Sequence, residues 1–245
     1  MKRRARYLFF VPAALLIFSL TSSAQDTLTK IAKQNKSHTI TVALEFTKKN
    51  RNPMLKALAA VGAVTPNGHA TGFFVGDGLV MTSYHVVSGK LNANKKRLLG
   101  LKPDDELEVK IYVNDCQAKV VKVDQEADLA LLRICSSRQV QRPVFRAAPS
   151  QDEQLLLIAQ PGGEKLIRRG SFNGSYAFGG SQYWSAKIDG QDGFSGSPVY
   201  NDQGEIVGVF SLYDYARGVA LLSPGIKAQR FLEAYDAAGI QSRLQ

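Results

Sequence analysis

The sequence predicts an all-β protein with enough strands for two small antiparallel barrels, followed by one C-terminal helix. Between His38 and Pro224, short apolar runs and alternating segments are separated about every eight to twelve residues by Gly, Asn or Asp, as all-β folds require. No regular alternation of strands with helices interrupts this pattern. The composition, 44% hydrophobic and 21% charged over 245 residues, is that of a globular protein and excludes a disordered or collagen-like chain.

The first 24 residues have the layout of a secretory signal. Four basic side chains precede an apolar run from Tyr7 to Leu20, and small residues from Thr21 to Ala24 follow it. The run holds 14 residues and is interrupted by Pro12, so it is too short to cross roughly 30 Å of hydrocarbon comfortably. We therefore expect cleavage before Gln25, no stable membrane anchor, and an exported protein that is periplasmic or secreted.

The predicted exported chain has a modest positive charge. After position 24 it has 27 basic and 21 acidic residues, a net charge of +6, and its basic residues are scattered apart from the clusters Lys48-Lys49-Arg51 and Lys95-Lys96-Arg97. Neither cluster is interleaved with stacking aromatic residues, so we expect solvated loops and no nucleic-acid partner. Binding to acidic polymers is a weaker alternative. With two cysteines and three histidines, we predict no metal site and no cofactor.

The predicted strands rest on the period of their apolar residues. Leu107 to Val113 alternates apolar and polar residues, which is typical of a strand with one face in solvent. The other predicted strands are Thr39 to Phe46, Gly72 to Val75, Leu79 to Thr82, Ala118 to Val123, Leu129 to Ile134, Leu155 to Ala159, Tyr183 to Ile188, Glu205 to Tyr213 and Gly218 to Leu222.

Helical spacing occurs near the C-terminus. The segment from Ile226 to Ala238 brings four apolar side chains near one helical face and is followed by Gly239, so we predict a terminal helix that packs on the second barrel. The side chains of that face are Ile226, Phe231, Leu232 and Tyr235. A short helix over Asn52 to Val64 stays open, because Pro53 and Gly62 interrupt the segment.

We divide the predicted exported chain into two halves. Residues 25–135 form the N-terminal barrel, and residues 155–245 form the C-terminal barrel with the terminal helix. Residues 136–154 are rich in Ser, Gln, Arg and Pro and show no periodicity, so we interpret them as the connection between the barrels.

Cys116 and Cys135 flank a predicted hairpin. If Ala118 to Val123 pairs with Leu129 to Ile134 around a turn between Gln125 and Glu126, the two cysteines face each other across the hairpin. In an exported protein we expect this pair to be oxidised to a disulfide. Two buried free thiols are the alternative, since a register error of one residue turns the side chains to opposite faces.

Three residues have the properties that acyl transfer requires. Ser195 lies between Gly193 and Gly196, and these glycines allow a turn whose Gly193 and Ser195 amides point the same way, as an oxyanion hole needs. His85 follows a predicted strand and supplies an imidazole, which suits a general base near neutral pH. Asp128 abuts a buried strand, where a carboxylate needs hydrogen-bond partners. Asp124 is the less favoured acid for orienting the base.

The motifs around these residues occur in the order His, Asp, Ser. They are Thr82-Ser83-Tyr84-His85-Val86-Val87, Asp128-Leu129-Ala130-Leu131-Leu132 and Gly193-Phe194-Ser195-Gly196-Ser197-Pro198. This order excludes the α/β-hydrolases, in which the histidine comes after the serine. From Gly68 to Leu232 the chain resembles the trypsin-like serine peptidases of bacteria, especially the HtrA-type and glutamyl endopeptidase branches.

The resemblance implies a fold, a site and a substrate class. It implies two six-stranded antiparallel β-barrels in the chymotrypsin fold, with His85 as the base, Asp128 as its orienting acid and Ser195 as the nucleophile. The substrate is then a protein or peptide, and no cofactor takes part. The PDZ module that HtrA-type enzymes usually carry is not expected here, and no oligomeric state is predicted.

Two departures from the family pattern concern the nucleophile loop and the substrate pocket. Phe194 stands where these families usually carry Asp or Asn, so we expect the loop to be held by burial of the ring. Asp189, Ser211 and Tyr213 are the candidate pocket residues. Asp189 lies where a carboxylate receives Lys or Arg side chains, but the Tyr213 ring is expected to narrow the entrance, so a basic preference is the less favoured interpretation. Phe210 replaces the histidine expected in glutamyl endopeptidases, so a preference for glutamate at P1 is not favoured either.

The sequence therefore predicts an exported serine endopeptidase that works through an acyl-enzyme. The alternative is a catalytically weak or inactive protease-like domain that binds peptides or cell-envelope partners. Phe194, Tyr213 and the net positive charge motivate this alternative, and a Gly193 amide turned away from the site would favour it.

Overall fold

The computed structural model describes residues 26–49, 66–135 and 140–241. The predicted secretory signal and the candidate helix over Asn52 to Val64 lie outside the described residues. Among the residues described, no helix is both long and apolar enough to span a membrane.

The first half of the described chain folds into a curled sheet of seven strands in the order β5-β4-β1-β2-β3-β7-β6. The paired neighbours are antiparallel. The strands are β1 Thr39–Lys48, β2 Gly68–Gly76, β3 Leu79–Thr82, β4 Leu107–Val113, β5 Cys116–Gln117, β6 Lys119–Asp124 and β7 Leu129–Arg133.

The two ends of this sheet are consecutive in sequence. Only Ala118 separates β5 from β6, and its amide donates a hydrogen bond to the carbonyl of Ile111 in β4 at 2.8 Å. The sheet therefore curls around its own core. That core is formed mainly by apolar residues of the strands between the two edges, including Val42, Leu44, Phe74, Val80, Ile111 and Leu132.

The second half is a closed antiparallel barrel of six strands in the order β10-β13-β12-β11-β8-β9. Its strands are β8 Gln154–Ala159, β9 Leu166–Phe178, β10 Ser181–Ala186, β11 Pro198–Tyr200, β12 Ile206–Asp214 and β13 Val219–Pro224. The described part of the connection, residues 140–153, contains no helix or strand, apart from an isolated bridge from Phe145 to Ile206. The predicted all-β class is confirmed.

The strands beside the junction of the two halves are apolar on both faces. In β8, Leu155 and Leu157 point into the second barrel, whereas Leu156 and Ile158 point into a core shared with the first sheet. The period of two in a strand makes this division possible. β7 behaves in the same way, and this explains why both segments are nearly continuous apolar runs rather than alternating ones.

The predicted disulfide between Cys116 and Cys135 is present, although the register used to predict it is wrong. Lys119 pairs with Arg133 rather than with the expected Leu132, and a further register shift follows between Val120 and Lys122. The cysteines still meet because both lie outside the β6–β7 ladder. Cys116 is in β5, on the other side of the break at Ala118, and Cys135 follows the end of β7.

Two helices pack at the junction of the halves. The C-terminal helix, Gly225–Gln241, buries a stripe with the spacing i, i+3, i+4 and i+7, formed by Ala228, Phe231, Leu232 and the partly buried Tyr235. It packs on the second barrel as predicted, but Ile226 is outside the stripe and Gly239 does not end the helix. A helix over residues 26–35, which we did not predict, inserts Leu28, Ile31 and Ala32 into the same core.

Candidate active site

His85 lies on a short helix, Tyr84–Val87, that begins directly after β3. The first amides of a helix have no acceptor within it, and here Asp128 supplies two. The Asp128 carbonyl accepts from the Tyr84 amide at 3.1 Å, and the Asp128 Oδ1 accepts from the His85 amide at 2.9 Å. The loop before β7 is thereby tied to the helix that carries the imidazole.

Asp128 occupies a demanding backbone position. Its φ is +53°, in the left-handed region, which Asp and Asn tolerate better than most residues. The residue is only 7% exposed, so its carboxylate depends on hydrogen bonds from the protein. Besides the His85 amide, the donors are the His85 ring and the Ser211 hydroxyl.

Ser195 lies in the second of two successive four-residue turns. The Phe194 amide donates to the Gln191 carbonyl at 3.2 Å, and the Ser197 amide donates to the Phe194 carbonyl at 2.9 Å. The third residue of each turn is a glycine with positive φ, +87° at Gly193 and +85° at Gly196. Glycine adopts this conformation without the cost that a side chain adds, which explains the spacing of glycines around the serine.

The structure brings His85, Asp128 and Ser195 together in one connected chain of hydrogen bonds. His85 Nε2 lies 2.8 Å from Ser195 Oγ. His85 Nδ1 lies 2.9 Å from Asp128 Oδ2 and 3.1 Å from its Oδ1. Because an ionised carboxylate only accepts hydrogen bonds, Nδ1 carries a proton and, in the neutral ring, Nε2 is free to accept from the serine hydroxyl.

The Asp128 carboxyl is held in its ionised form. Burial alone would raise the pKa of this carboxyl, but hydrogen bonds and the charge of His85, with a further hydrogen bond from Ser211, outweigh burial and lower the pKa below its ordinary value. Asp124, the other candidate acid, instead accepts the Ala127 amide at 2.9 Å within the β6–β7 turn. The geometry therefore favours Asp128 as the partner of the imidazole.

Ser211, a candidate pocket residue, has a side chain that contacts Asp128. Its side chain is buried, and its hydroxyl donates to Asp128 Oδ2. Its carbonyl lies 3.3 Å from Ser195 Oγ and accepts from that hydroxyl as an alternative partner. The pocket role of Ser211 stays a prediction. The sequence carries no spacing signal for its contact with Asp128, because β12 and the β6–β7 turn are far apart along the chain.

Tyr183 is a further residue near the acid that the sequence does not indicate. Burial raises the pKa of the Tyr183 hydroxyl, and the negative charge of Asp128 raises it further. The phenol is therefore neutral at neutral pH, and it adds no second negative charge to the site.

The Gly193 and Ser195 amides are available to a ligand. Among the described residues, neither amide has an acceptor in the hydrogen-bond network of the protein. Gly193 also packs so closely against Pro161 that a Cβ at this position would overlap the proline ring. These two amides are the donors that the sequence predicts for an oxyanion hole.

Phe194 is fully buried, as expected from its position in the nucleophile loop. Its ring packs edge to face on Phe210, with centroids 6.0 Å apart, inside the core of the second barrel. The Arg168 guanidinium lies 5.7 Å from the ring centroid on its face. The loop is thus anchored by an apolar side chain instead of an ion pair.

The remaining pocket candidates lie beside Gly190. A Cβ on Gly190 would lie 2.7 Å from Tyr213 Cδ2 and 2.8 Å from Phe210 Cζ, so both rings press against the backbone there. The Tyr213 ring also contacts Tyr215 edge to face at 4.9 Å. Asp189 is exposed and does not form a buried pocket floor. Within the described chain, no group of three His, Cys, Asp or Glu residues is placed to hold a metal ion.

The chain belongs to the trypsin-like peptidase family. The family model named "Trypsin-like peptidase domain" matches residues 70–209, more than half of the chain, and this range includes the three residues of the site.

Curated relatives are HtrA-like proteins of modest identity. The chain is 28% identical over 181 residues to Protease Do-like 2, chloroplastic, of Arabidopsis thaliana, a match that covers 68% of this chain and 28% of that protein. It is 27% identical over 189 residues to Serine protease HTRA1 of Xenopus tropicalis, covering 68% of this chain and 36% of that protein. The chain thus spans about a third of the length of the curated relatives it matches.

Solved structures share the fold. Two crystal structures of the Rv3671c protease, an inactive form and an active form from M. tuberculosis, each superpose with a TM-score of 0.57 at 17% sequence identity. The inactive form matches over 84% of this chain and 92% of that one, and the active form over 83% and 82%. At this identity the likeness establishes the chymotrypsin-like fold alone.

Proposed function

We propose that the protein is an exported serine endopeptidase that hydrolyses peptide bonds through an acyl-enzyme. The observation that carries the proposal is the connected chain from Asp128 through His85 to Ser195, with 2.9 Å between Nδ1 and Oδ2 and 2.8 Å between Nε2 and Oγ. A serine hydroxyl becomes a useful nucleophile only when a base accepts its proton, and this arrangement supplies a base whose ring is already oriented.

The first half of the reaction forms the acyl-enzyme. Ser195 Oγ attacks the scissile carbonyl while its proton moves to His85 Nε2, and the Asp128 carboxylate stabilises the imidazolium that results. The negative charge on the carbonyl oxygen is met by the Gly193 and Ser195 amides. When the tetrahedral intermediate collapses, the C–N bond breaks, Nε2 returns the proton to the leaving amine, and the acyl group remains on Oγ.

The second half repeats these steps with water. His85 Nε2 accepts a proton from the water that attacks the ester, and the oxyanion forms again at the same two amides. Collapse of this intermediate releases the carboxylic acid, and the proton on Nε2 returns to Ser195 Oγ. The reaction leaves the enzyme unchanged and needs no electron transfer.

Export is the second part of the proposal. The layout of the first 24 residues and the disulfide between Cys116 and Cys135 support it, since disulfides persist chiefly in oxidising compartments. We expect N-terminal sequencing of the protein from the periplasm or the medium to begin at Gln25. A protein recovered only with its first 24 residues attached would contradict this part.

The peptidase function is tested with a matched pair of serine variants. We expect the wild-type protein to cleave an unfolded protein substrate, and Ser195→Ala to lose that cleavage. Ser197→Ala is the control because Ser197 lies two residues further along and its buried hydroxyl has no partner among the described residues. Cleavage by Ser195→Ala at the wild-type rate would overturn the proposal, whereas equal losses in both variants would point to a damaged loop.

A further inference from the structure

Thr71, in β2 of the first sheet, forms hydrogen bonds across the junction of the two halves to the turn that carries Ser195. This residue is fully buried. Its amide donates to the Ser195 carbonyl at 3.0 Å, and its hydroxyl donates to the Gly193 carbonyl at 2.9 Å. One residue therefore binds the carbonyls of the two residues whose amides are the proposed oxyanion donors.

The Thr71 hydroxyl is itself fixed in direction. It accepts the Gln160 amide at 3.0 Å while donating to Gly193, so both its proton and a lone pair are used. The Thr71 carbonyl accepts the Thr82 hydroxyl at 2.7 Å. A buried hydroxyl with a donor and an acceptor on either side has one favourable orientation, which makes it a rigid support.

Close packing also fixes the position of the turn that carries Ser195. A Cβ on Gly196 would overlap the Thr71 carbonyl and the Thr82 hydroxyl, and a Cβ on Gly193 would overlap Pro161. The turn therefore lies directly on Thr71 and on the segment that follows β8. A displacement of the turn away from Thr71 would break both hydrogen bonds at once.

We propose that Thr71 is a positioning residue, whose hydroxyl fixes the Gly193–Phe194 peptide. This peptide lies between the two peptides that bear the Gly193 and Ser195 amides, so both amides stay directed at the developing oxyanion. This inference rests on the proposed peptidase function. Donors that are already oriented stabilise the transition state without reorganisation, whereas a loosened turn must be ordered in each catalytic cycle. Thr71 touches neither the substrate carbonyl nor the reacting atoms, and it acts through the backbone of the turn.

Thr71→Val tests the hydroxyl because it keeps the branched shape and leaves the Gly193 carbonyl and the Gln160 amide without their partner. We expect kcat to fall about ten- to hundredfold, the range that small displacements of catalytic groups produce, with KM within about twofold of wild type. The fluorophosphonate labelling rate of Ser195 should fall by a similar factor. Thr71→Ser, which keeps the hydroxyl, should restore kcat to within about threefold of wild type.

Thr41→Val is the matched control. The Thr41 hydroxyl also spans the junction, donating to the Gln160 carbonyl at 2.9 Å and accepting the Gly163 amide at 3.1 Å, but it contacts neither Gly193 nor Ser195. We expect its kcat to stay within about twofold of wild type, even if its melting temperature falls as far as that of Thr71→Val.

Several outcomes would overturn the inference. They are a Thr71→Val kcat equal to wild type, an equal loss in Thr41→Val, or a Thr71→Ser variant as slow as Thr71→Val. If Thr71→Val does not fold, Thr71→Ser and Thr71→Ala replace it as a pair that differs only in the hydroxyl, and equal kcat values for that pair contradict the inference. A wild-type protein that neither cleaves nor labels refutes the peptidase function instead.

Discussion

Ser211 shows how one residue can serve both ends of the site. Its hydroxyl donates to the Asp128 carboxylate, and its carbonyl lies 3.3 Å from Ser195 Oγ. The acid is therefore held by three groups: the imidazole, the His85 amide and this hydroxyl. A buried carboxylate with this many donors remains ionised, which is the state that orients His85 and stabilises its protonated form.

The lowered pKa of Asp128 predicts how stability depends on pH. A carboxyl whose pKa is lower in the folded state than in the unfolded state stabilises the fold above its unfolded pKa, near 3.8, and this contribution is lost as the pH falls through the folded pKa. We therefore expect the free energy of unfolding of the wild type to exceed that of Asp128→Asn at neutral pH.

The difference between the two proteins should shrink as the pH falls from about 4 through the lower folded pKa, because the unfolded wild-type chain binds a proton there that the folded protein does not yet bind. Urea denaturation of both proteins between neutral and acid pH measures it. A difference that stays constant over this range would contradict the lowered pKa.

Phe194 anchors the nucleophile loop through its ring. We expect Phe194→Ala to lower the free energy of unfolding by about 3–5 kcal/mol, because it leaves a cavity in the core of the second barrel. Urea denaturation provides the measurement. Phe178→Ala is the control, since that ring is 46% exposed, and it should cost much less. Equal costs for the two variants would show that the ring of Phe194 is not the anchor.

Tyr213 determines how much room remains beside Gly190. Tyr213→Ala removes a ring that presses on this backbone, so we expect kcat/KM for peptides with a large P1 side chain to rise about tenfold relative to peptides with P1 Ala. A series of peptides that differ only at P1 measures the ratio. Tyr215→Ala should leave the ratio unchanged, because the Tyr215 ring is 76% exposed. An unchanged ratio in Tyr213→Ala would place the substrate side chain elsewhere.

At the scale of elements, strands with strong apolar patterns were predictable and irregular ones were not. Leu79–Thr82 and Leu107–Val113 have the bounds that the sequence predicts. β9 was missed because most of its residues are only half-buried and polar residues and glycines interrupt its apolar ones, so neither alternation nor an apolar run marks it. The register of β6 and β7 could not be predicted, because a shift between Val120 and Lys122 has no sequence signal.

The disulfide links two elements of the first sheet, at β5 and at the end of β7. It closes a loop with a sequence separation of 19, for which the chain-entropy model gives about 3 kcal/mol of stability. We expect the Cys116→Ser/Cys135→Ser double variant to be less stable by about this amount in urea denaturation. Dithiothreitol should destabilise the wild type and leave the double variant unaffected. A wild type that is indifferent to the reductant would contradict a stabilising disulfide.

At the scale of the whole molecule, the site exists only where the two halves meet. His85 and Asp128 come from the first sheet, and Ser195 comes from the second barrel. The core shared by the halves, with Met81, Leu131 and Val209 among its members, brings these residues within hydrogen-bond distance. Stability and chemistry are therefore coupled, because loosening the junction separates the base from the nucleophile.

The assembly of the site from distant segments also explains which parts of it were predictable. Local motifs mark His85, Asp128 and Ser195, because each has glycines, a strand end or a helical turn beside it in sequence. The supporting hydrogen bonds join residues that are far apart in sequence. Thr71 lies 122 residues from its partner Gly193, and Ser211 lies 83 residues from its partner Asp128. No pattern within one segment records such contacts, so only the three-dimensional structure reveals them.

The central claim is that Ser195 is an activated nucleophile, and the most direct measurement is the intact mass of the protein after treatment with a fluorophosphonate. We expect one adduct, mapped by peptide mass spectrometry to Ser195, and a labelling rate strongly reduced in His85→Ala. An unlabelled wild type that is folded by circular dichroism, or labelling that is equally fast without the imidazole, would contradict the claim.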